Sequence, residues 1–552
     1  MKKQYQLSVR DRQEAIGLRR RCKRRAILSV SAGLGSLALS ATLASAQLVG
    51  PSTTVDPYLL PSHGDAKIVS VLTVGDLPAD NGYRMVGIPD GLGAFKDGRN
   101  ATVLMNHELR DNAGISRAHG SKGAFVSKWS IDRHTLEVKK GEDLTRSANH
   151  VFSWDPSLSQ YTQGTTAWNR FCSADLPQVG AFFDRGRGTK ERIFLNGEES
   201  DDGRAWAYVV TGSHAGESWQ LPRMGRISFE NVVASPYAQD KTVVMLLDDG
   251  NASTAPTPSN FPSELYVYVG RKEKNGHPVE KAGLTNGKLF GVKVTLPGNV
   301  LVTEESNSFG LGSASFIGSG RFSLQEMGPS GDVSGFTNLQ LEQEAINENV
   351  FRMQRVEDGA WDPRRSRRND FYFLTTASFT TNSRLWRLRF DDIEHPELGG
   401  TIEILLKGDE PNPDPQGIGS HKMFDNMTID GCGRILLQED PGNQTYLARV
   451  WVYGIESGNL IEIARHNPKF FDPALADPNF ITQDEESSGI IDAAEILGKG
   501  WFLLDVQAHK NISASEPELV EQGQLLAMYL DRQLECAKDR DDDHDHDRDS
   551  RD

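Results

Sequence analysis

The chain is 552 residues long and carries a formal net charge of −16. That surplus of carboxylates argues against a nucleic-acid partner, because a phosphate backbone is bound by an excess of Lys and Arg; it suits cations instead. A hydrophobic content of 38% with 53 glycines favours many short strands and tight turns over a helix bundle.

In chain order, a basic cluster from Arg19 to Arg25 precedes a small-residue apolar run from Ala26 to Leu43 and then "ASAQ". This pattern reads as an export signal spanning 1–46, with Gln47 as the mature start and a periplasmic or extracellular destination. The flanks are those of a signal, so no stable membrane span is expected. Arg24-Arg25 before "AIL" suits the twin-arginine route as well as the general one. Residues 47–535 read as one all-β body. The segment 536–552, "CAKDRDDDHDHDRDSRD", lacks apolar residues that could pack and reads as an acidic disordered tail, with Asp541 to Asp547 able to capture divalent cations weakly. Cys172, Cys432 and Cys536 remain in the mature chain, an odd number that argues against a disulfide framework and leaves at least one thiol free or ligated. Cys432, in the turn "DGCGR", reads as structural.

Helical periodicity is confined to 339–350 and 514–530, whereas apolar or alternating runs such as 206–211, 264–269, 371–376, 385–390, 401–406 and 447–454 dominate. The most apolar runs share an ending. "ATVLMNHE" stops at Glu108, "RIFLNGEE" at Glu198-Glu199, and "TVVMLLDD" at Asp248-Asp249; "DFYFLTT" stops at Thr376, "RILLQED" at Glu439-Asp440, and "GWFLLDVQ" around Asp505 to Gln507. A strand-turn-strand step earlier, each has a second polar mark: Asp90, Cys172, Glu230, Glu357-Asp358, Asp425-Asn426 and Glu485-Glu486. Six such units predict a six-bladed β-propeller with long inserts in loops on one face, 268–350 being one of them.

Innermost propeller strands converge on one mouth, so these carboxylates would face one another. Desolvation and mutual repulsion both oppose their charge, and bound cations relieve both. Calcium accepts the oxygen donors of Asp, Glu and Asn. A thiolate at Cys172 would point to a transition metal, while a buried inert cysteine is the plainer alternative. Each acidic pair alone could open a turn, although Glu is a poor turn former. There is no GxSxG elbow, HExxH or phosphate loop. His107, His214, His421 and His509 lie near polar marks without forming a motif.

At these residues the sequence resembles the PhoX-type alkaline phosphatase family, exported bacterial phosphatases with a six-bladed propeller. The resemblance rests on Cys172 followed by "LNGEES", on Glu230 in "FENVVAS", on "RVEDGAWDP", and on "FDNMTIDGCGRILLQED". It implies ferric iron on Cys172, Glu198 or Glu199, Glu230 and Glu357. It implies calcium on Asp248, Asp249, Asp358, Asp425, Asn426, Glu439 and Asp440, and a phosphate clamp at Arg355. Glu486, at the sixth mark, joins the candidate ligands. The implied activity is hydrolysis of a small phosphomonoester, and a monomer is expected. The sequence departs from the family where a Pro-Trp-Gly-Thr run is replaced by "SADLPQVGAFFDRGRGTKERIF", where Val356 stands for a proline, and in Asn106-His107-Glu108, which has no counterpart. A phytase-like or lactonase-like calcium hydrolase, and a non-catalytic calcium-binding exported protein, are the competing readings.

Overall fold

Short runs of β-branched and aromatic residues, punctuated by Gly and Asp, pair almost entirely with their neighbours in sequence. The computed structural model describes residues 48–77, 80–250, 262–305, 318–408 and 421–536. The predicted export signal and residues 537–552 of the acidic tail lie outside them. Contacts divide the chain into Met1–Ala46 and Gln47–Asp552, and all that follows concerns the second unit.

Six antiparallel quartets of strands make up this unit. Their first strands are Pro89–Asp97, Phe171–Asp175, Phe229–Ala234, Val356–Trp361, Phe424–Ile429 and Glu485–Asp492. Each first strand packs against the next, and the sixth against the first, which closes a ring. The sixth quartet borrows its outer strand, Ala66–Thr73, from the beginning of the unit, pairing it with Glu521–Leu530. Closure therefore ties the two ends of the described chain together. The third and fourth quartets are continuous through Ser319–Glu326, which pairs with Lys288–Leu296 on one side and Gly400–Leu406 on the other. The fold is all-β and propeller-like, as the strand endings predicted.

Six principal apolar cores fill the interfaces between neighbouring quartets. Trp129, Trp168, Trp206, Trp386 and Trp451 are among their largest fully buried side chains and bring much of the buried area. Charged rows on first strands can face the axis because the apolar payload sits between quartets, not on the axis.

Three expectations need correcting. The stretch 268–350 is not a loop insert, since it holds the end of Leu265–Arg271 and the strands Lys288–Leu296 and Ser319–Glu326, all paired into the sheet. Residues 514–530 hold a strand, Glu521–Leu530, where a helix was predicted: pairing on both edges, to Ala66–Thr73 and Trp501–Asn511, overrides local periodicity. The helix expected near 339–350 does form, as Asn338–Asn347, started by a reciprocal cap between Thr337 and Gln340. Although the odd cysteine count argued against a disulfide framework, one bridge joins Cys432 to Cys536, leaving Cys172 free and buried. No helix of the described residues is long and apolar enough to cross a membrane.

Candidate metal centre

The same local geometry repeats at the start of every quartet, carried by different residues. Near the end of each second strand, in five quartets one residue past it, a backbone N–H returns to the carbonyl just ahead of the first strand: Glu108 to Ile88, Glu199 to Arg170, Asp249 to Ser228, Thr376 to Arg355, Asp440 to Met423 and His509 to Asp484, all at 2.8–3.0 Å. Ile88, Arg170, Arg355 and Met423 adopt positive φ angles of 41–61° at these points, a conformation costly for residues with a β-carbon. Directly after, the first strand bulges. The breaks in register fall between Pro89 and Leu92, Phe171 and Ala174, Phe229 and Asn231, Val356 and Gly359, and Phe424 and Met427. Those five bulges contain Asp90, Cys172, Glu230, Glu357 and Asp425. An extra residue in one strand re-aims side chains, and here it turns five potential ligands toward the axis.

The result is a continuous buried array. Ligand atoms of Asp90, Glu108 and Cys172 lie within 4.8 Å of one another, as do those of Cys172, Glu199 and Glu230, and those of Glu230, Glu357 and Asp425. Cys172 Sγ is 3.5 Å from Asp90 Oδ2. Ser173 Oγ donates to Glu230 Oε1 at 2.6 Å and accepts from Asn426 Nδ2 at 2.6 Å. Gln507 Nε2 sits within reach of Asp90 at 2.9 Å, Glu108 at 3.0 Å and Glu486 at 3.4 Å.

Two arginines, in matching positions of the second and fourth quartets, flank this array. Arg170 reaches Glu108 Oε1 and Glu199 Oε2, both at 2.6 Å. Arg355 spans Asp249, at 2.9 and 2.7 Å, and Glu357 at 3.0 Å. Their side chains are 35% and 36% exposed, against 9% or less for the four carboxylates they hold. They form the solvent-facing rim of an acidic pit. His509 closes a further side, with Nδ1 2.8 Å from Glu521 and Nε2 3.7 Å from Glu486.

Burial is the first cause of each large upward shift among the acids and the thiol of the pit. It pushes Asp90, Glu230, Glu357 and Asp425 well above the usual carboxylate range, and the neighbouring acids push further. Glu199 rises to about 8 by burial despite Arg170, and Asp440 to about 7 by burial and Glu486. The Cys172 thiol is raised by burial, then by Asp90 and Glu230. Burial opposes charge on His509, but Glu486 and Glu521 together raise it to about 11. Raised in this way, Asp90, Glu230, Glu357 and Asp425 favour their protonated forms, and a cation bound among them would supply positive charge in the protons' place.

Of the residues named from sequence, Cys172, Glu199, Glu230, Glu357 and Asp425 come together. Asp249, Asp440, Glu486, Asn426 and Arg355 border them. Glu198 points elsewhere, its carboxylate taken by Arg204 at 2.5 and 2.7 Å and by the Asn169 N–H. Glu439 accepts from Lys422 N, Tyr446, Arg449 N and Trp451, a fully satisfied nest beside the channel. Asp358 accepts from Asn231, Gly359 N and Met427 N and lines a cavity of about 250 Å³ farther along the axis, to which all six first strands contribute. Asp248 belongs to a separate acidic group. Sequence reasoning left Asp90, Glu108, Arg170, Ser173, Gln507 and His509 out of the site. Asp90, Glu108 and Gln507 carry the same strand-end signature as the rest, so that signature held the information. Arg170, matching Arg355 one residue ahead of a first strand, became visible only once the bulges aligned. In the unassigned Asn106-His107-Glu108 run, Asn106 holds the Cys172 carbonyl at 2.6 Å, and His107 is packed on Phe125 and bonded to Ser127.

Fold and site together define an all-β, propeller-like protein with a buried thiol–carboxylate centre at one end of its axial channel. No protein-family model matches the chain, and no curated protein does. Among solved structures, Pseudomonas fluorescens PhoX in complex with vanadate, a transition state analogue, is similar over 86% of this chain and 96% of that one, with a TM-score of 0.57 and 12% identity. The PQQ-bound aldose sugar dehydrogenase of Streptomyces coelicolor follows at a TM-score of 0.32 and 11% identity, over 85% and 100% of the two chains. The first likeness establishes a PhoX-like fold; residue roles do not follow from it.

Proposed function

We propose that this chain is an exported, metal-dependent phosphomonoesterase whose ions are held by Cys172, Glu199, Glu230, Glu357 and Asp425, with Asp90 and Glu108 beside them. One observation carries the reading: a buried thiol belongs to two carboxylate triads at once. A set of thiolate and carboxylates fits ferric iron, and the surrounding Asp, Glu and Asn oxygens fit calcium. When bound, these ions supply Lewis acidity and positive charge toward phosphoryl oxygens. Arg355 and Arg170 then bind and orient a small phosphomonoester from the rim, since guanidinium forks match phosphate geometry. Gln507, Ser173 and Asn426 orient the carboxylates, and the closed apolar interfaces exclude bulk water.

Two further observations support this. The similar PhoX structure holds vanadate, a transition state analogue, on the same fold. The Cys432–Cys536 bridge suits an oxidising compartment, in keeping with the export signal read at 1–46. The test is elemental analysis of the native protein, its visible absorption, and hydrolysis of a chromogenic phosphomonoester. Iron with calcium, thiolate-to-iron colour and turnover are expected. Colourless, fully cation-loaded protein without turnover overturns the reading in favour of a calcium-binding role.

A further inference from the structure

A second group of acids lies off the channel, in the third quartet. Asp248 ends the strand Lys241–Asp248, Glu264 immediately precedes Leu265–Arg271, and Glu342 projects from the helix Asn338–Asn347. All three are buried, at 1%, 0% and 0% exposure. Successive residues of an extended chain face opposite ways, which separates this group from the pit: Asp249 turns to Arg355, and Asp248 turns away from it.

The oxygens of this group are poorly served. Ser228 N–H donates to Asp248 Oδ1 at 3.0 Å. Asp248 Oδ2, both oxygens of Glu264 and both of Glu342 receive no hydrogen bond from any other group, although the three carboxyls stand within hydrogen-bond reach of one another. The Tyr266 hydroxyl, also 0% exposed, has no hydrogen-bond partner, and the register that sets Leu247 opposite Leu265 puts Asp248, Glu264 and Tyr266 on one face of the sheet. Arg352, the cation acting on Glu264, donates to Glu304 at 2.5 Å. Buried polar atoms are nearly always satisfied, and a trio of carboxylates without counter-charge is strongly disfavoured. Either protons shared among the acids or a cation between them must settle it. A cation between them would satisfy the three acids and the Tyr266 oxygen at once, without any proton having to be shared.

We propose that Asp248, Glu264 and Glu342, with the Tyr266 hydroxyl, hold a calcium ion separate from the channel centre. The donors are all oxygen, which selects a hard cation. Magnesium loses its water reluctantly and demands regular octahedral geometry, whereas calcium accepts carboxylates in irregular arrangements. A dry site assembled from two strand ends and a helix suits the second. The ion would pin the helix Asn338–Asn347 onto the third quartet, directly behind the Asp249–Arg355 pair. The proposal is independent of the phosphomonoesterase reading.

The experiment uses the exported full chain and two isosteric variants, Glu342→Gln and Glu264→Gln. Calcium content per chain, thermal midpoint with and without calcium, and backbone hydrogen exchange in Asn338–Asn347 are read on each. Each variant is expected to lose one calcium equivalent, to keep the visible absorption and turnover of the channel centre, and to lose the calcium-dependent protection of that helix. Unchanged calcium content in both variants overturns the proposal. So does a rise in thermal midpoint in both variants with helix exchange indifferent to calcium, which identifies a proton-sharing trio. Protection conferred by magnesium and not calcium overturns the choice of ion.

Discussion

The channel pit and the Asp248–Glu264–Glu342 trio are built from the same side chains, both buried, yet their surroundings differ in kind. In the pit, carboxylates from several quartets are interleaved with a thiol, two arginines and the amide donors Gln507 and Asn426, and the arginines reach solvent. Among the described residues the trio, 1% exposed or less, has one backbone donor to one oxygen and otherwise only its own carboxyls as partners. Mobile counter-charge at a rim suits exchange of an anionic ligand; orphaned oxygens in a sealed site suit a permanent tie. The difference teaches that acidity alone does not mark the working site. Its donors and its opening do.

The sharpest way to break this comparison is Cys172→Ser. Loss of the soft ligand should remove iron and its visible absorption and reduce kcat by more than about 100-fold. Calcium held by the trio, read from helix exchange, should not change. If iron and turnover survive, the thiol is an inert buried side chain and the two clusters differ less than argued. Next in size are Arg355→Ala and Arg170→Ala. Each should lower kcat/KM by about 100-fold, the order seen when one preorganised charge-stabilising donor is removed, while metal content measured by elemental analysis stays intact. Parallel loss of metal in either variant would make that arginine a structural counter-charge for its two carboxylates.

Much of this contrast was legible in the sequence. Apolar runs ending in polar, mostly acidic, residues foretold the quartets, because the end of each second strand meets the same backbone turn. Their earlier polar marks foretold five of the bulges. What could not be read was direction. Within Glu198-Glu199 and Asp248-Asp249, one carboxylate enters the pit and its neighbour leaves it, since extended backbone alternates faces. Glu439 looked like Asp440 until Tyr446 and Trp451 enclosed it. Arg170 carried no mark, because its role depends on a positive φ and a bulge, not on a spacing. The Cys432–Cys536 bridge joins residues 104 apart, and no local pattern encodes that.

A smaller effect follows from protonation. In chelated protein Glu199 titrates near 8 and Asp440 near 7, both above the unfolded carboxylate range of about 4. Between those limits the folded chain binds more protons than the unfolded one, so stability falls as pH rises through this window. Thermal midpoints of the chelated protein should decline from about pH 5 to pH 8. With metals restored, the ions replace those protons and the decline should vanish or reverse. A chelated protein whose midpoint rises over this window would mean that the pit's acids are already ionised.

The finest test contrasts two adjacent glutamates. Glu199→Gln removes a member of the Cys172 triad and a partner of Arg170, so metal content and turnover should fall together. Glu198→Gln touches neither. It leaves Arg204, 17% exposed, without its ionic partner, and breaking such a pair costs about 3 kcal/mol. That cost should appear in the denaturation midpoint of the metal-loaded protein, with turnover per folded molecule unchanged. Equal loss of turnover in both variants would show that Glu198 turns into the channel once ions bind, and that strand alternation does not decide which acids serve the centre.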